Sequence, residues 1–340
     1  MVPRWASSRR SLSLRTSSIS SAYVSHHKCE LVLPVGAAET DCMNLRLSGI
    51  FVPLVTPFTA GGDVAATDLE RLAHDVIDEG ASGIVALGTT GEQSVLAPEE
   101  RRQVLQICGR VCHERGVPLM VGAGTNDTAG TVRAVQEVGG LVDAAAALVS
   151  VPYYTRPSEA GVVAHFEHVA DHSPLPLVLY NVPYRTGQYL GWESIVRLSR
   201  HPQIVGIKQS VGVVDTDTAR LFAECAGSFS ILAGEDTLAS PLFAMGAAGA
   251  VLSSANVCAR EFVELFELWC SRDLQKARAV GNALVRPASA LMSAPNPTVI
   301  KAVLHAQGRI STANVRLPLV PVRDPSTIAD VLEQLPLRTV

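Results

Sequence analysis

Eight short apolar runs, each followed by a turn and an amphipathic stretch, constrain this chain more than any other feature. The runs are Phe51–Val55, Gly83–Leu87, Pro118–Ala123, Ala145–Val149, Pro176–Tyr180, Ile204–Lys208, Ser230–Ala233 and Gly249–Val251. Their starts fall roughly 20–35 residues apart, the size of a strand–helix unit. Successive positions within each run are apolar, so both faces of the strand are buried, as in a parallel sheet. The intervening stretches have helical period: Leu69, Leu72, Ala73 and Val76 recur at i, i+3, i+4 and i+7 within Thr67–Glu79. Thr67 followed by Glu70 predicts a capping box there. Pro98 with Glu99 and Glu100 suits the first turn of a helix over Pro98–Arg115. Helices are also predicted over Glu159–Asp171 and Asp236–Met245, and Asp215 and Asp217 read as an N-terminal cap.

Eight such units in about 200 residues predict an α/β fold of the (β/α)8 TIM-barrel type. The competing architecture, an open doubly wound sheet, is weakened because no GxGxxG follows the first run. Past residue 257 the pattern is helical, over Glu261–Trp269, Asp273–Leu284 and Thr298–Ala306. That is more helix than closing a barrel requires. The expected division is therefore an N-terminal extension over 1–46, a barrel over 47–256 and a C-terminal helical appendage over 257–340.

The extension carries Arg4, Arg9, Arg10 and Arg15 among serines, with no acid before Glu30. It resembles an organellar transit peptide. The competing reading, that translation starts at Met43, is favoured because periodic sequence begins at Leu47. Import into an organelle is expected only if the extension is a genuine transit peptide. Otherwise the expected compartment is the cytoplasm. The cysteine pattern agrees: seven residues, at 29, 42, 108, 112, 225, 258 and 270, are dispersed with no CxxC, which suits a reducing compartment. Twenty-eight Lys+Arg against 32 Asp+Glu leave a net charge of −4, which excludes a general nucleic-acid binder. No apolar run reaches the roughly 18 residues of a membrane span.

In a barrel of this kind the chemistry sits where strands end and βα loops begin. The predicted strand ends carry Gly88-Thr89-Thr90-Gly91-Glu92, Pro152-Tyr153-Tyr154, Tyr180-Asn181 with Pro183 and Arg185, and Gly206-Ile207-Lys208. A lysine facing a barrel interior is desolvated, which disfavours its ammonium form. A neutral amine can attack a carbonyl and form a Schiff base. Lys208 alone would also suit a solvated strand end or a buried ion pair. Tyr180, on the neighbouring strand, adds a hydroxyl able to carry protons to the same point. Thr89 and Thr90, on a glycine-flanked turn, can bind a carboxylate, and Arg185 can form a bidentate pair with another. Gly88–Gly91 is no phosphate-binding Walker loop, since no GK[ST] follows. His165, His168 and His172 follow helical spacing and read as a solvated face rather than a metal site.

These motifs occur together in a known order. With Arg156-Pro157-Ser158, Val182-Pro183, Thr186-Gly187, Pro295-Asn296-Pro297 and Arg316-Leu317-Pro318, they make the chain from about Leu47 to Val322 resemble the dihydrodipicolinate synthases of the N-acetylneuraminate lyase superfamily. The resemblance implies that Lys208 condenses with pyruvate and that Tyr180 shuttles protons. Thr89 would link Tyr180 to a second tyrosine, Tyr154, supplied from an adjacent subunit. Thr90 would bind the pyruvate carboxylate, Arg185 the carboxylate of the aldehyde substrate, and Val251 would line the pyruvate pocket. The implied reaction joins pyruvate to L-aspartate 4-semialdehyde through a covalent imine, with no cofactor or metal, in lysine and diaminopimelate biosynthesis. The implied assembly is a homotetramer, a dimer of dimers. Val151 and Ala123 stand where threonines are common in the family. They leave open another pyruvate-dependent Schiff-base aldolase or lyase acting on a sugar acid or hydroxy-oxo acid. A non-catalytic keto-acid-binding barrel is the alternative of another class. Pro98 and Gly130 replace the histidine and glutamate of the family's lysine-feedback site, which argues against that feedback.

Overall fold

In the computed structural model the described residues are 46–335, except 226, 228 and 323. Strand and helix alternate along the chain. The order is β1 (Gly49–Pro53), α1 (Ala66–Asp78), β2 (Gly83–Ala86), α2 (Pro98–Arg115), β3 (Leu119–Gly122), α3 (Thr128–Leu141), β4 (Ala146–Ser150) and α4 (Glu159–Asp171). It continues with β5 (Leu177–Asn181), α5 (Pro183–Thr186), α6 (Trp192–Leu198), β6 (Ile204–Gln209), α7 (Thr216–Glu224), β7 (Ser230–Ala233), α8 (Ala239–Ala244) and β8 (Gly249–Val251). Four helices follow: α9 (Ala255–Cys270), α10 (Leu274–Leu291), α11 (Thr298–Ala306) and α12 (Pro325–Gln334). Each strand pairs in parallel with the next, and β1 pairs with β8, so the sheet closes into the expected (β/α)8 barrel.

The continuous apolar runs have a simple cause. Alternate residues of each strand enter two separate cores, so neither face of the sheet meets water. Phe51, Val85, Met120, Leu148, Val178, Leu232 and Val251 fill the barrel interior. Val52, Ile84, Val121, Val149, Leu179, Ile207 and Ala250 pack outward against the helices. At the seam β1 and β8 approach so closely that a Cβ on Gly249 would lie 2.1 Å from the Gly49 carbonyl oxygen. Described residues on both sides of the 256/257 division belong to one compact unit. The proposed extension, but for Arg46, lies outside the described residues, as do 336–340 of the proposed C-terminal region.

Three local readings differ from the sequence expectation. Helix α1 begins at Ala66 and its N-cap is Ala65, so Thr67 already lies inside the first turn and forms no capping box. Glu70 pairs instead with Arg110 at 2.9 Å. The stretch Asp236–Met245 divides into a 3-10 turn over Asp236–Leu238 and the short α8. His165 is buried against α3, where Thr128 Oγ1 and His165 Nδ1 share a 2.9 Å hydrogen bond. It does not lie on a solvated face. Helices α2, α4 and α11 begin as read, and Asp215 caps α7, its carboxylate accepting the Thr218 amide at 2.9 Å.

Candidate active site

Lys208 is the fifth residue of β6 and stands in register between Tyr180 on β5 and Leu232 on β7. Partners in a parallel ladder share a face, and both neighbours line the barrel interior. The lysine therefore points inward, and only 6% of it is exposed. Its Nζ lies 4.4 Å from the centre of the Tyr180 ring. Gly234, just past β7, permits a close approach to β6: a Cβ there would stand 1.9 Å from Ser210 Oγ, 2.9 Å from the Gln209 carbonyl oxygen and 3.0 Å from Lys208 Cγ. Val251 lines the same barrel interior and is fully buried. Asn181 and Gln209, one residue on, face the other way. The Asn181 amide donates to Gln209 Oε1 at 3.1 Å and to the Leu190 carbonyl at 3.0 Å, bracing the two strands that carry the lysine and the tyrosine.

The turn after β2 supplies the second part of the site. Thr89, Thr90 and Gly91 form a single 3-10 turn, with the Gly91 amide donating to the Gly88 carbonyl at 3.0 Å. Thr90 is buried and Thr89 half-buried. The Thr90 and Ser253 hydroxyls share a 2.9 Å hydrogen bond. Asn296 Nδ2 donates to both, at 3.0 and 3.1 Å. The Thr56 hydroxyl, just past β1, donates to the Gly91 carbonyl at 2.8 Å. The turn is thus fastened by residues from three distant parts of the chain.

Arg185 lies exposed at the end of α5, a single turn begun by Pro183 and closed by Gly187 at φ +71°. Its Nε donates to the Tyr184 hydroxyl at 3.0 Å, and its guanidinium lies 4.9 Å from that ring's centre. The β4–α4 loop reaches the same turn, where Arg156 Nε donates to the Gly187 carbonyl at 2.8 Å. Tyr154, in that loop, has φ +72°, a strained setting for a side-chain-bearing residue. It is 86% exposed, and among the described residues it makes no hydrogen bond to Thr89 or Tyr180. Within one chain, then, Lys208 and Tyr180 come together, Val251 lines the same barrel interior, and Tyr154 stands apart.

Two acids escaped the sequence reading. Glu235 and Asp236 follow Gly234 at the C-terminal end of β7, the position where a barrel carries its chemistry. Burial, and then the Asp236 charge, push the Glu235 carboxyl up, while Lys208 and Arg185 pull it down. Burial also pushes the Asp236 carboxyl up, against the Ser254 amide and the Lys208 charge. Asp236 Oδ1 accepts that amide at 2.6 Å. Their adjacency just after a strand was the available signal, masked because Asp236 also begins a helical pattern. Ser253 and Asn296 were missed as well; Asn296 was visible only as part of Pro295-Asn296-Pro297. Val151 and Ala123, which stand where the family often has threonine, join the core between strands and helices. Among the described residues no group of three or more His, Cys, Asp or Glu side chains is arranged to hold a metal ion. No described helix is long and apolar enough to cross a membrane.

Comparison with known proteins bears on the fold and the family. The dihydrodipicolinate synthetase family matches residues 46–333. The 4-hydroxy-tetrahydrodipicolinate synthase of Listeria innocua is 36% identical over 282 residues, covering 81% of this chain and 94% of the relative. That of Thermodesulfovibrio yellowstonii is 36% identical over 271 residues, covering 80% and 91%. Among solved structures, the chloride-inhibited dihydrodipicolinate synthase of Acinetobacter baumannii complexed with pyruvate superposes with a TM-score of 0.81. It is 34% identical and the alignment covers 85% of this chain and 99% of that one. Barrel, ordered motifs and relatives lead to one conclusion: the chain belongs to the dihydrodipicolinate synthetase family.

Proposed function

We propose that the chain condenses pyruvate with L-aspartate 4-semialdehyde to give 4-hydroxy-tetrahydrodipicolinate, and that Lys208 carries the reaction as a Schiff base. The observation that supports this most is the inward-facing Lys208 with its amine 4.4 Å from the Tyr180 ring centre in a closed barrel mouth. The uncharged Lys208 amine attacks the keto carbon of pyruvate, and loss of water leaves an imine. Thr90 and its turn bind the pyruvate carboxylate. Tyr180 passes protons through its hydroxyl as the carbinolamine collapses. Removal of a methyl proton gives an enamine, whose carbon attacks the aldehyde carbon of the second substrate. Arg185 holds that substrate's carboxylate. The substrate's own amine then displaces Lys208, closing the ring and freeing the enzyme. The imine itself takes up the electrons that move at each step, so the proposed chemistry draws on no organic cofactor or metal.

Thr89 and Tyr154 complete the proposed proton relay, with Tyr154 acting in a neighbouring copy. Its exposure in a single chain, with Tyr153 and Tyr184 also exposed, supports contact with a neighbouring copy, and the proposed assembly is a homotetramer built as a dimer of dimers. The cytoplasm is the proposed compartment, and the boundaries at 46/47 and 256/257 are proposed with it. The competing sugar-acid or hydroxy-oxo-acid aldolase rested on Val151 and Ala123, and the core position of both removes that support.

Two measurements test the reading. Incubation with pyruvate and borohydride, then digestion and mass spectrometry, should place a reduced pyruvyl adduct on Lys208; an unmodified Lys208 would end it. A coupled assay with aspartate semialdehyde and the downstream reductase should show turnover. Turnover only with a sugar acid would transfer the chain to the competing aldolase.

A further inference from the structure

A buried ion pair stands directly behind the threonine turn. The side chains of Lys301, on α11, and Glu92 are 0% and 1% exposed, and Nζ lies 2.5 Å from Glu92 Oε1. Glu92 closes the turn: its amide donates to the Thr89 carbonyl at 3.1 Å while its backbone sits in the left-handed region at φ +53°. A residue with a side chain adopts that conformation reluctantly and needs outside fastening. The fastening is complete on this one. Oε1 takes the Lys301 ammonium, and Oε2 accepts the Arg316 amide at 3.0 Å. Lys301 also donates to the Asn314 carbonyl at 2.8 Å and lies 3.9 Å from the centre of the Phe58 ring. Arg316 extends the clamp to the Gly62 and Val95 carbonyls, at 2.7 and 3.0 Å, and to Glu100.

We propose that Lys301 is a positioning residue for pyruvate binding: through Glu92 it sets the backbone of the Thr89–Thr90 turn that receives the keto-acid carboxylate. The proposal rests on the reaction assigned above and extends it to a residue outside the barrel. The segment Asn296–Lys301 then grips the turn twice, Asn296 at the Thr90 hydroxyl and Lys301 at the Glu92 carboxylate. A buried pair gives little net stability compared with apolar residues of the same volume, so its use here fits a geometric task. Burial pushes the Lys301 ammonium down to about 8, opposed by the Glu92 carboxylate beside it.

The test compares wild type with Lys301→Met and with the double variant Glu92→Gln/Lys301→Met. The single variant strands a buried carboxylate and can fail to fold; the double leaves no isolated charge. In the double variant, melting should stay near that of wild type while the KM for pyruvate rises about ten-fold and the KM for the aldehyde is unchanged. Borohydride trapping at Lys208 should slow in step with the pyruvate KM. A folded double variant with a wild-type pyruvate KM would overturn the proposal. Wild-type trapping is the separate check on the reaction: its absence would sink the assigned chemistry, whereas trapping in wild type with an unchanged KM in the double variant sinks only the role of Lys301.

Discussion

Lys208 and Tyr180 face each other as register partners on adjacent parallel strands, with the lysine amine 4.4 Å from the centre of the tyrosine ring. The backbone ladder fixes the spacing, so neither side chain needs a flexible loop to reach the other. Tyr180→Phe keeps the ring and removes only the hydroxyl. Steady-state assays should show kcat reduced by about 10²- to 10⁴-fold, the range of one lost proton-transfer group. The thermal melt should be unchanged. A variant with wild-type kcat would remove Tyr180 from the proton path.

Thr90→Val is nearly isosteric but deletes the hydroxyl shared by Ser253 and Asn296. Two hydrogen bonds are lost while Asn296 Nδ2 keeps Ser253 as its partner, so stability should fall by about 2 kcal/mol. The KM for pyruvate should rise about ten-fold with that for the aldehyde unchanged. Thermal unfolding and substrate-saturation curves check the two effects independently.

Tyr184→Phe tests how Arg185 is held. The variant loses the hydroxyl that accepts the arginine Nε but keeps the ring beneath the guanidinium. A freer arginine gives up orientation rather than charge. The KM for the aldehyde should therefore rise by about three- to ten-fold while pyruvate binding stays as in wild type. A rise confined to pyruvate would place Arg185 on the other substrate.

Acid should destabilise the protein partly through His165. Burial pushes its ring down to about 4, opposed by the Asp127 charge and assisted by that of His168, whereas an unfolded histidine titrates near 6.5. Between these values the unfolded chain binds a proton that the folded chain refuses. The folded state is thus unpenalised above 6.5 and loses stability as pH falls toward 4, by up to about 3 kcal/mol. Unfolding free energies from pH 4 to 7 should slope less steeply in His165→Gln than in wild type. Parallel curves would show that His165 is not the acid-sensitive group.

Which parts of this molecule could be read in advance follows from how local their causes are. Strand β7 begins and ends where its apolar run does, because adjacent residues decide it. The first run was placed two residues late. Leu54 and Val55 are as buried as the strand, but the Val55 amide is taken by Asn256 Oδ1 rather than by a neighbouring strand. Apolar sequence reports burial, not which acceptor an amide finds. Lys208 and Tyr180 were legible because each ends an apolar run at a known end of the barrel. Glu92 was visible in its motif without a task, since its partner lies on a helix far along the chain. His165 carried the polar signature of a surface face and is buried by α3, a packing that helical spacing cannot report.

The grip of Asn296 on Thr90 spans 206 residues. During synthesis the amine and phenol pair is made well before the turn proposed to bind the keto-acid carboxylate acquires its final fastening. A chain halted after β8 would contain Lys208 and Tyr180 yet lack Asn296, Lys301 and Arg316. Nascent or truncated forms should accordingly be poor at capturing a keto acid, so the capacity to bind substrate is completed only with the C-terminal helices.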